Sequence, residues 1–129
     1  MNLGYNNGIN AYKNNSVNYA SKEQLLLMLL EGAVKFAKRA RLGIEEKNIK
    51  VAHENIIKTQ NIFFELMATL DVDKAGVWGK ELYRVYEFIT RRLADANIKK
   101  SVEIMDEVLP LIEEVRDMWT EAHKISKQG

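Results

Sequence analysis

Apolar residues recur along most of this chain at the three- and four-residue spacing of amphipathic helices. Four stretches carry the pattern, and it predicts helices at about residues 21–42, 48–70, 77–96 and 101–125. Short polar connections between helices of this length force neighbouring helices to run antiparallel. No stretch shows the alternation or the hairpin dipeptides that are typical of strands. The pattern therefore predicts an all-α fold, an antiparallel up-down four-helix bundle over residues 21–129.

In the second to fourth helices, one apolar stripe is predicted to face the core. The stripes are Ala52, Ile56, Thr59, Ile62, Leu66 and Leu70, then Trp78, Leu82, Val85, Ile89, Leu93 and Ala96, and finally Met105, Val108, Ile112, Val115 and Trp119. Each stripe keeps one side of its helix apolar over most of its length.

Local sequence marks several helix boundaries. Ser21 and Gln24 form a capping box at the start of the first helix, and Gly43 predicts its end. Residues 71–76 are predicted to form a turn before the third helix. Ser101 is the predicted N-cap of the fourth helix. Pro110 falls inside that helix, where the loss of an amide and a steric clash predict a kink or a break.

The chain has more apolar residues than one core-facing stripe per helix would use. Residues 25–30 read LLLMLL, which covers every side of a helix, and a second excess occurs in the second helix. A small protein usually covers a second apolar face with another chain. We therefore predict an apolar groove for a partner, and for each residue in it a core position is the alternative. The predicted groove residues are Leu26, Leu30, Phe63, Phe64 and Met67.

Residues 1–20 differ from the rest of the chain. They contain seven Asn and one charged residue, Lys13, together with scattered apolar and aromatic side chains. This leader is either a frayed terminus or a segment that docks on the bundle or on a partner. Our hypothesis is a lid that folds over the bundle through Ile9, Tyr12 and Tyr19 when no partner is bound.

Composition narrows the function further. The formal charge is +1, from 19 basic and 18 acidic residues, which gives no electrostatic reason to expect nucleic acid or an anionic membrane. Absence of Cys excludes a disulfide scaffold and a thiolate zinc site. No apolar stretch approaches the roughly 18 residues that span a bilayer, and residues 1–20 lack the features of a signal peptide. We expect a soluble cytoplasmic protein without membrane insertion.

The chemistry of a catalytic or metal site is not evident. Helical bundles often hold two metals through Glu-x-x-His motifs, but Lys50 and Thr120 stand three residues before His53 and His123. Phosphate-binding glycine patterns do not occur. We therefore predict no catalytic, metal or cofactor-binding residues, no cofactor, and no enzymatic activity.

Four segments resemble one known family. These are GINAYKNNSV at residues 8–17, ASKEQLLLMLLEGA at 20–33, VYEFITRRLADAN at 85–97 and EVLPLIEEVRDMW at 107–119. Their order and spacing resemble the flagellar secretion chaperone FliS family over nearly the whole chain. The third segment departs mildly from the family signature, which has Leu and Tyr at the positions of Val85 and Phe88.

The resemblance implies a four-helix bundle with an N-terminal cap. It also implies a client, the disordered C-terminal region of flagellin, which would be kept from polymerising in the bacterial cytosol and delivered to the export gate protein FlhA. Ile9 and Tyr12 match an N-terminal Ile and Tyr that the family associates with client binding and with handover to the gate.

Two alternatives stay open. One is a generic helical adaptor or oligomerising bundle with a different client, and the other is a helical enzyme with an unrecognised site. Self-association of the client-free protein also stays open.

Overall fold

The computed structural model describes residues 22–128, with side chains described as far as residue 126. Four helices follow one another along this range: α1 Lys22–Glu45, α2 Ile49–Thr69, α3 Val72–Lys99 and α4 Val102–Gln128. Connections of two or three residues join them. Helix α1 packs against α2 and α4, and α3 packs against the same two helices. The predicted all-α four-helix bundle is confirmed.

The core runs along the axis of the bundle, and all four helices contribute to it. Its largest fully buried side chains are Tyr86, Phe63, Leu30, Ile56, Ile89, Leu93, Met105, Ile112 and Val108. The predicted stripes of α2 and α4 are confirmed, with Leu70 and Trp119 only partly buried. The predicted stripe of α3 is wrong at two positions, since Trp78 and Val85 are 48% and 38% exposed.

Helix α1 does not end at Gly43, contrary to the sequence prediction. It continues to Glu45 and closes with two backbone hydrogen bonds, Asn48 N–H to the Gly43 carbonyl and Lys47 N–H to the Ile44 carbonyl. Lys47 takes the left-handed conformation, with φ of 57°, that this terminal motif requires. Gly43 serves another purpose, because a Cβ there would lie 2.8 Å from the backbone nitrogen of Ala52. The missing side chain lets α1 and α2 approach closely.

Helix α3 begins earlier than predicted and is interrupted near its start. Asp71 caps one short turn by accepting a hydrogen bond from the Lys74 amide at 3.1 Å. Gly76 then breaks the helix with φ 63° and ψ −138°, backbone angles that essentially only glycine adopts. The helix resumes and continues to Lys99, three residues beyond its predicted end.

Helix α4 begins as predicted and runs unbroken past its proline. The Ser101 hydroxyl accepts a hydrogen bond from the Ile104 amide at 3.1 Å, which confirms Ser101 as the N-cap. A single α-helix extends from Val102 to Gln128, so of the kink or break predicted at Pro110 the break does not occur. Pro110 and Asp106 are both exposed, and water can hydrate the Asp106 carbonyl that loses its amide partner. The capping box predicted at Ser21 lies outside the described residues.

Candidate binding surface

The bundle has two chemically different ends. We call the end where α1 and α3 finish and α2 and α4 begin the capped end. Polar contacts between helices concentrate in this half: Arg41 of α1 pairs with Asp106 of α4, and Arg92 of α3 pairs with Glu107 of α4 at 2.6 Å. The opposite end, where α1 and α3 begin, is the open end. The aromatic residues Phe64 and Trp78 are about half exposed in that half, whereas the exposed apolar residues of the capped end, Leu42, Ile49 and Ile98, are aliphatic.

A row of partly exposed apolar side chains on α3 lies along α4. Trp78, Val85 and Phe88 are 48%, 38% and 41% exposed. Arg92 lies seven residues after Val85 and four after Phe88, and it contacts Glu107 of α4. Trp78, seven residues before Val85, contacts Trp119 of α4. Because residues spaced by three, four and seven share one side of a helix, the whole row borders the junction between α3 and α4.

A matching row on α4 borders the same junction. Leu111 and Met118 follow Glu107, the partner of Arg92, by four and eleven residues. Both are partly buried and pack against the core. The two rows together give this junction an apolar surface, which we call the seam groove and define as Trp78, Val85, Phe88, Leu111 and Met118.

The seam groove is closed by a defined contact at each end. The Arg92–Glu107 ion pair bounds it towards the capped end. At the open end the rings of Trp78 and Trp119 meet edge to face, with centroids 5.6 Å apart. The distance from Trp78 to Arg92 along α3 is about 21 Å at 1.5 Å per residue. That length matches a helix of about four turns.

Behind the tryptophans, aromatic residues connect the groove to the core. The Trp119 indole N–H donates a hydrogen bond to the Tyr86 hydroxyl at 2.9 Å. The Tyr86 ring packs edge-on against Phe63 of α2, with centroids 5.7 Å apart. Burial raises the pKa of Tyr86 to about 12, outweighing the opposite effect of the hydrogen bond from Trp119. The phenol therefore stays neutral and accepts the indole hydrogen bond throughout the physiological pH range.

A smaller apolar surface lies at the junction of α2 and α3. Phe64 is 49% exposed, and Met67 is partly buried against the core. Both share a side of α2 with Gln60, whose amide donates a hydrogen bond to the Thr90 carbonyl of α3 at 3.1 Å. We call Phe64 and Met67 the α2–α3 patch.

The residues predicted to line a groove do not form one surface. Leu30 and Phe63 are fully buried, so in this conformation they present nothing to a partner. Leu26 packs partly buried against the core, whereas Phe64 and Met67 form the α2–α3 patch. The predicted cap residues, which are Ile9, Tyr12 and Tyr19, lie outside the described residues.

Sequence reasoning missed the seam groove, although a signal was present. Apolar pairs occur at residues 85–86 and 88–89. One member of each pair, Tyr86 or Ile89, is fully buried. The other, Val85 or Phe88, belongs to a second row that a single core stripe does not need.

Two kinds of feature do not occur in the described part of the chain. Within residues 22–128, no cluster of three or more His, Cys, Asp or Glu side chains is arranged to hold a metal ion. Over the same range, no helix combines the length and the apolar character needed to cross a bilayer.

Comparisons with known proteins point to one family. The family model for "Flagellar protein FliS" matches residues 5–126. The flagellar secretion chaperone FliS of Bacillus subtilis is 36% identical over 122 residues, covering 93% of this chain and 89% of the relative. The protein of that name from Salmonella typhimurium is 34% identical over 117 residues, covering 87% of both. The one from Campylobacter jejuni is 31% identical over 122 residues, covering 95% of this chain and 92% of the relative.

Proposed function

The chain belongs to the FliS family of flagellar secretion chaperones, and from that premise we propose that it is an export chaperone for flagellin. Its client is the disordered C-terminal region of flagellin, which it covers in the bacterial cytosol. Covering that region prevents premature polymerisation, and the complex is then delivered to the export gate protein FlhA. The protein works as a binding partner and needs no catalytic site or cofactor.

The seam groove is the observation that carries this proposal. Trp78, Val85 and Phe88 offer exposed aromatic and aliphatic surface along the junction of α3 and α4, where one helix can dock. Amphipathic client helices commonly dock in such grooves, with anchor residues spaced by three and four. Docking would cover side chains that the isolated bundle leaves in water.

Burial of apolar surface suffices to drive binding. A client that folds as it binds buries on the order of 1,000–3,000 Å² and loses several kcal/mol to ordering. At roughly 25 cal/mol per apolar Å², the gross gain exceeds that cost. Much of the free energy that remains after ordering the client is offset by the entropy lost on association, so the net binding free energy is far smaller than the gross gain. The chaperone therefore needs no ATP.

The α2–α3 patch extends the client surface in this proposal. Phe64 and Met67 lie on the opposite side of α3 from the seam groove, so a client of two or more short helices reaches both surfaces. Leu26 adds apolar area near the open end. Leu30 and Phe63 support these surfaces from the core.

The leader acts as a lid over the same region. It joins the bundle at Lys22, at the open end, and carries Ile9, Tyr12 and Tyr19. In our proposal these residues cover the exposed apolar side chains until a client arrives, and Ile9 and Tyr12 take part in handover to FlhA. Deletion of residues 1–18 should raise amide hydrogen exchange near the open end; unchanged exchange would refute the lid.

Calorimetric titration tests the client assignment. The titrant is a peptide covering roughly the last 40 residues of flagellin, long enough for two or three helices of average length. We expect saturable one-to-one binding, a negative heat-capacity change, and increased helicity by circular dichroism. Phe88→Ala should weaken binding about tenfold or more, because it truncates a central aromatic anchor.

A control variant separates the groove from general surface hydrophobicity. Ile98 is 83% exposed at the capped end of the same helix, and Ile98→Ala should leave the dissociation constant unchanged. Equal weakening by both substitutions would refute the seam groove as the client site. No binding to the folded wild-type protein would favour the generic helical adaptor with a different client.

A further inference from the structure

We propose that the charged borders of the seam groove fix the direction in which a helix binds there. This inference rests on the proposed function, because it concerns the partner of the same groove. Its partner is an amphipathic helix of about four turns, whose apolar stripe is bordered by acidic residues on one side and basic residues on the other.

The α4 border of the groove is acidic. Glu107, Glu114 and Glu121 alternate with Leu111 and Met118 at spacings of four, three, four and three residues. These five residues therefore share one side of α4. Glu107 is engaged by Arg92, whereas Glu114 and Glu121 are exposed and form no ion pair within the described residues.

The α3 border is basic around its central aromatic residue. Arg84 lies four residues before Phe88 and Arg91 three residues after it, so both flank Phe88. Both arginines are exposed and form no ion pair in the described part of the chain. Acidic residues lie at both ends of this border: Glu81 is near the tryptophans, and Asp95, seven residues after Phe88, pairs with Arg92 at 2.9 Å. The unpaired basic character therefore belongs to the middle of the border.

This asymmetry gives the groove a polarity. A helix lying in it turns one flank towards α3 and the other towards α4. Reversing the direction of the helix exchanges the two flanks. A helix with acidic residues on one flank and basic residues on the other therefore places opposite charges against both borders in only one direction. In the other direction, like charges face each other at both borders.

Two designed peptides test the inference. Each has 14 residues and one leucine stripe, with glutamates along one flank and lysines along the other; the second peptide exchanges these flanks. Each is labelled at either terminus with bimane, a fluorophore that tryptophan quenches on contact. Trp78 and Trp119 lie at one end of the groove, so the quenched terminus reports the direction of binding.

We expect quenching of opposite termini in the two peptides. Because exposed ion pairs are weak, we expect the population bound in the preferred direction to exceed the other by about fivefold at low salt. At high salt, screening should make the two populations nearly equal. A variant with R84E, R91E, E114K and E121K should reverse the preference of both peptides. The same terminus quenched in both peptides, or equal quenching of both termini, would overturn the inference.

The flagellin titration separates this inference from the proposed function. If neither designed peptide binds while the flagellin segment does, the border charges do not select the partner and the inference fails alone. If the designed peptides bind with the expected directions and flagellin does not, the inference stands and the client assignment fails.

Discussion

At the capped end of the bundle, hydrogen bonds close the helix termini and the exposed apolar residues are aliphatic, namely Leu42, Ile49 and Ile98, whereas in the open half the aromatic side chains of Phe64 and Trp78 are in contact with solvent. Asn48 and Ser101 cap the helices that begin at the capped end. Lys47 and Lys100 take left-handed conformations where α1 and α3 finish there. At the open end Asp71 caps the start of α3, but the chain then passes through the break at Gly76, and Trp78 is half exposed.

This contrast separates stability from binding. Helix caps and the close approach at Gly43 fix the helices at the capped end, and the exposed ion pairs there add little. The open half can then leave aromatic residues exposed without loss of the fold. A binding surface of this kind needs a rigid frame, because ordering it during binding would reduce affinity.

The largest expected effect comes from breaking the capped end with Gly43→Val. A Cβ at Gly43 meets the Ala52 backbone nitrogen at 2.8 Å and its Cα at 3.2 Å, so α1 and α2 must separate. We expect a loss of about 3 kcal/mol in the free energy of unfolding, measured by urea denaturation.

Gly32→Ala on the same helix is the matched control. Its Cβ would lie 3.7 Å from Ile62 Cδ1, which is ordinary contact. Replacing a helical glycine there should be neutral or stabilise by up to about 1 kcal/mol. If Gly43→Val and the wild type unfolded at the same urea midpoint, the close approach of α1 and α2 at Gly43 would not contribute to stability.

A pH titration sharpens the comparison at Tyr86, which joins the tryptophans of the open half to the core. The pKa of Tyr86 is raised from 10.0 to about 12 in the folded protein. Its contribution to stability is complete below pH 10 and is lost as pH rises towards 12, because only the unfolded chain ionises in that interval. Two pKa units correspond to about 2–3 kcal/mol.

Tyr86→Phe should remove the loss of unfolding free energy that Tyr86 causes at alkaline pH. Urea denaturation between pH 9 and pH 12 measures it. At neutral pH the variant should lose about 1 kcal/mol with the hydrogen bond from Trp119. Tyr83→Phe, which removes the hydroxyl of a more exposed tyrosine on the same helix, is the control variant. If the free energy of unfolding of Tyr86→Phe fell with pH as steeply as that of the wild type, the alkaline loss would not come from Tyr86.

The smallest expected effect is that of Gly76→Ala at the open end. No heavy atom lies within 4 Å of the added Cβ, so the cost is backbone strain alone, about 1–2 kcal/mol. Hydrogen exchange should accelerate at residues 72–78 and remain unchanged around residues 43–52. Equal acceleration at both places would show that the two ends do not behave independently.

Periodicity predicted the parts of the fold that depend on one helix alone. The buried stripes of α2 and α4 follow directly from apolar spacing, and the cap at Ser101 follows from local hydrogen-bonding chemistry. Gly43 and Gly76 show where this reasoning stops. A glycine can end a helix, break it or permit close packing, and the outcome depends on the neighbouring helix or on the backbone angles.

The candidate site was harder to predict than the fold. Val85 and Tyr86 are adjacent apolar residues, and spacing alone assigned the wrong one to the core. Which residue is buried depends on how α3 is rotated against α2 and α4. The Phe63–Tyr86 ring contact and the Arg92–Glu107 ion pair accompany that rotation, and both join residues far apart in sequence.

The short connection between α1 and α2 has a consequence for the order of folding. Three residues join these helices, and their contacts link residues close in sequence, such as Gly43 with Ala52 and Phe36 with Lys58. Contacts of low sequence separation form rapidly. This helical hairpin can therefore assemble during synthesis, as soon as residue 69 has emerged. Helix α4 emerges last, and we expect its contacts with α1, which lies farthest from it along the chain, to form after this hairpin.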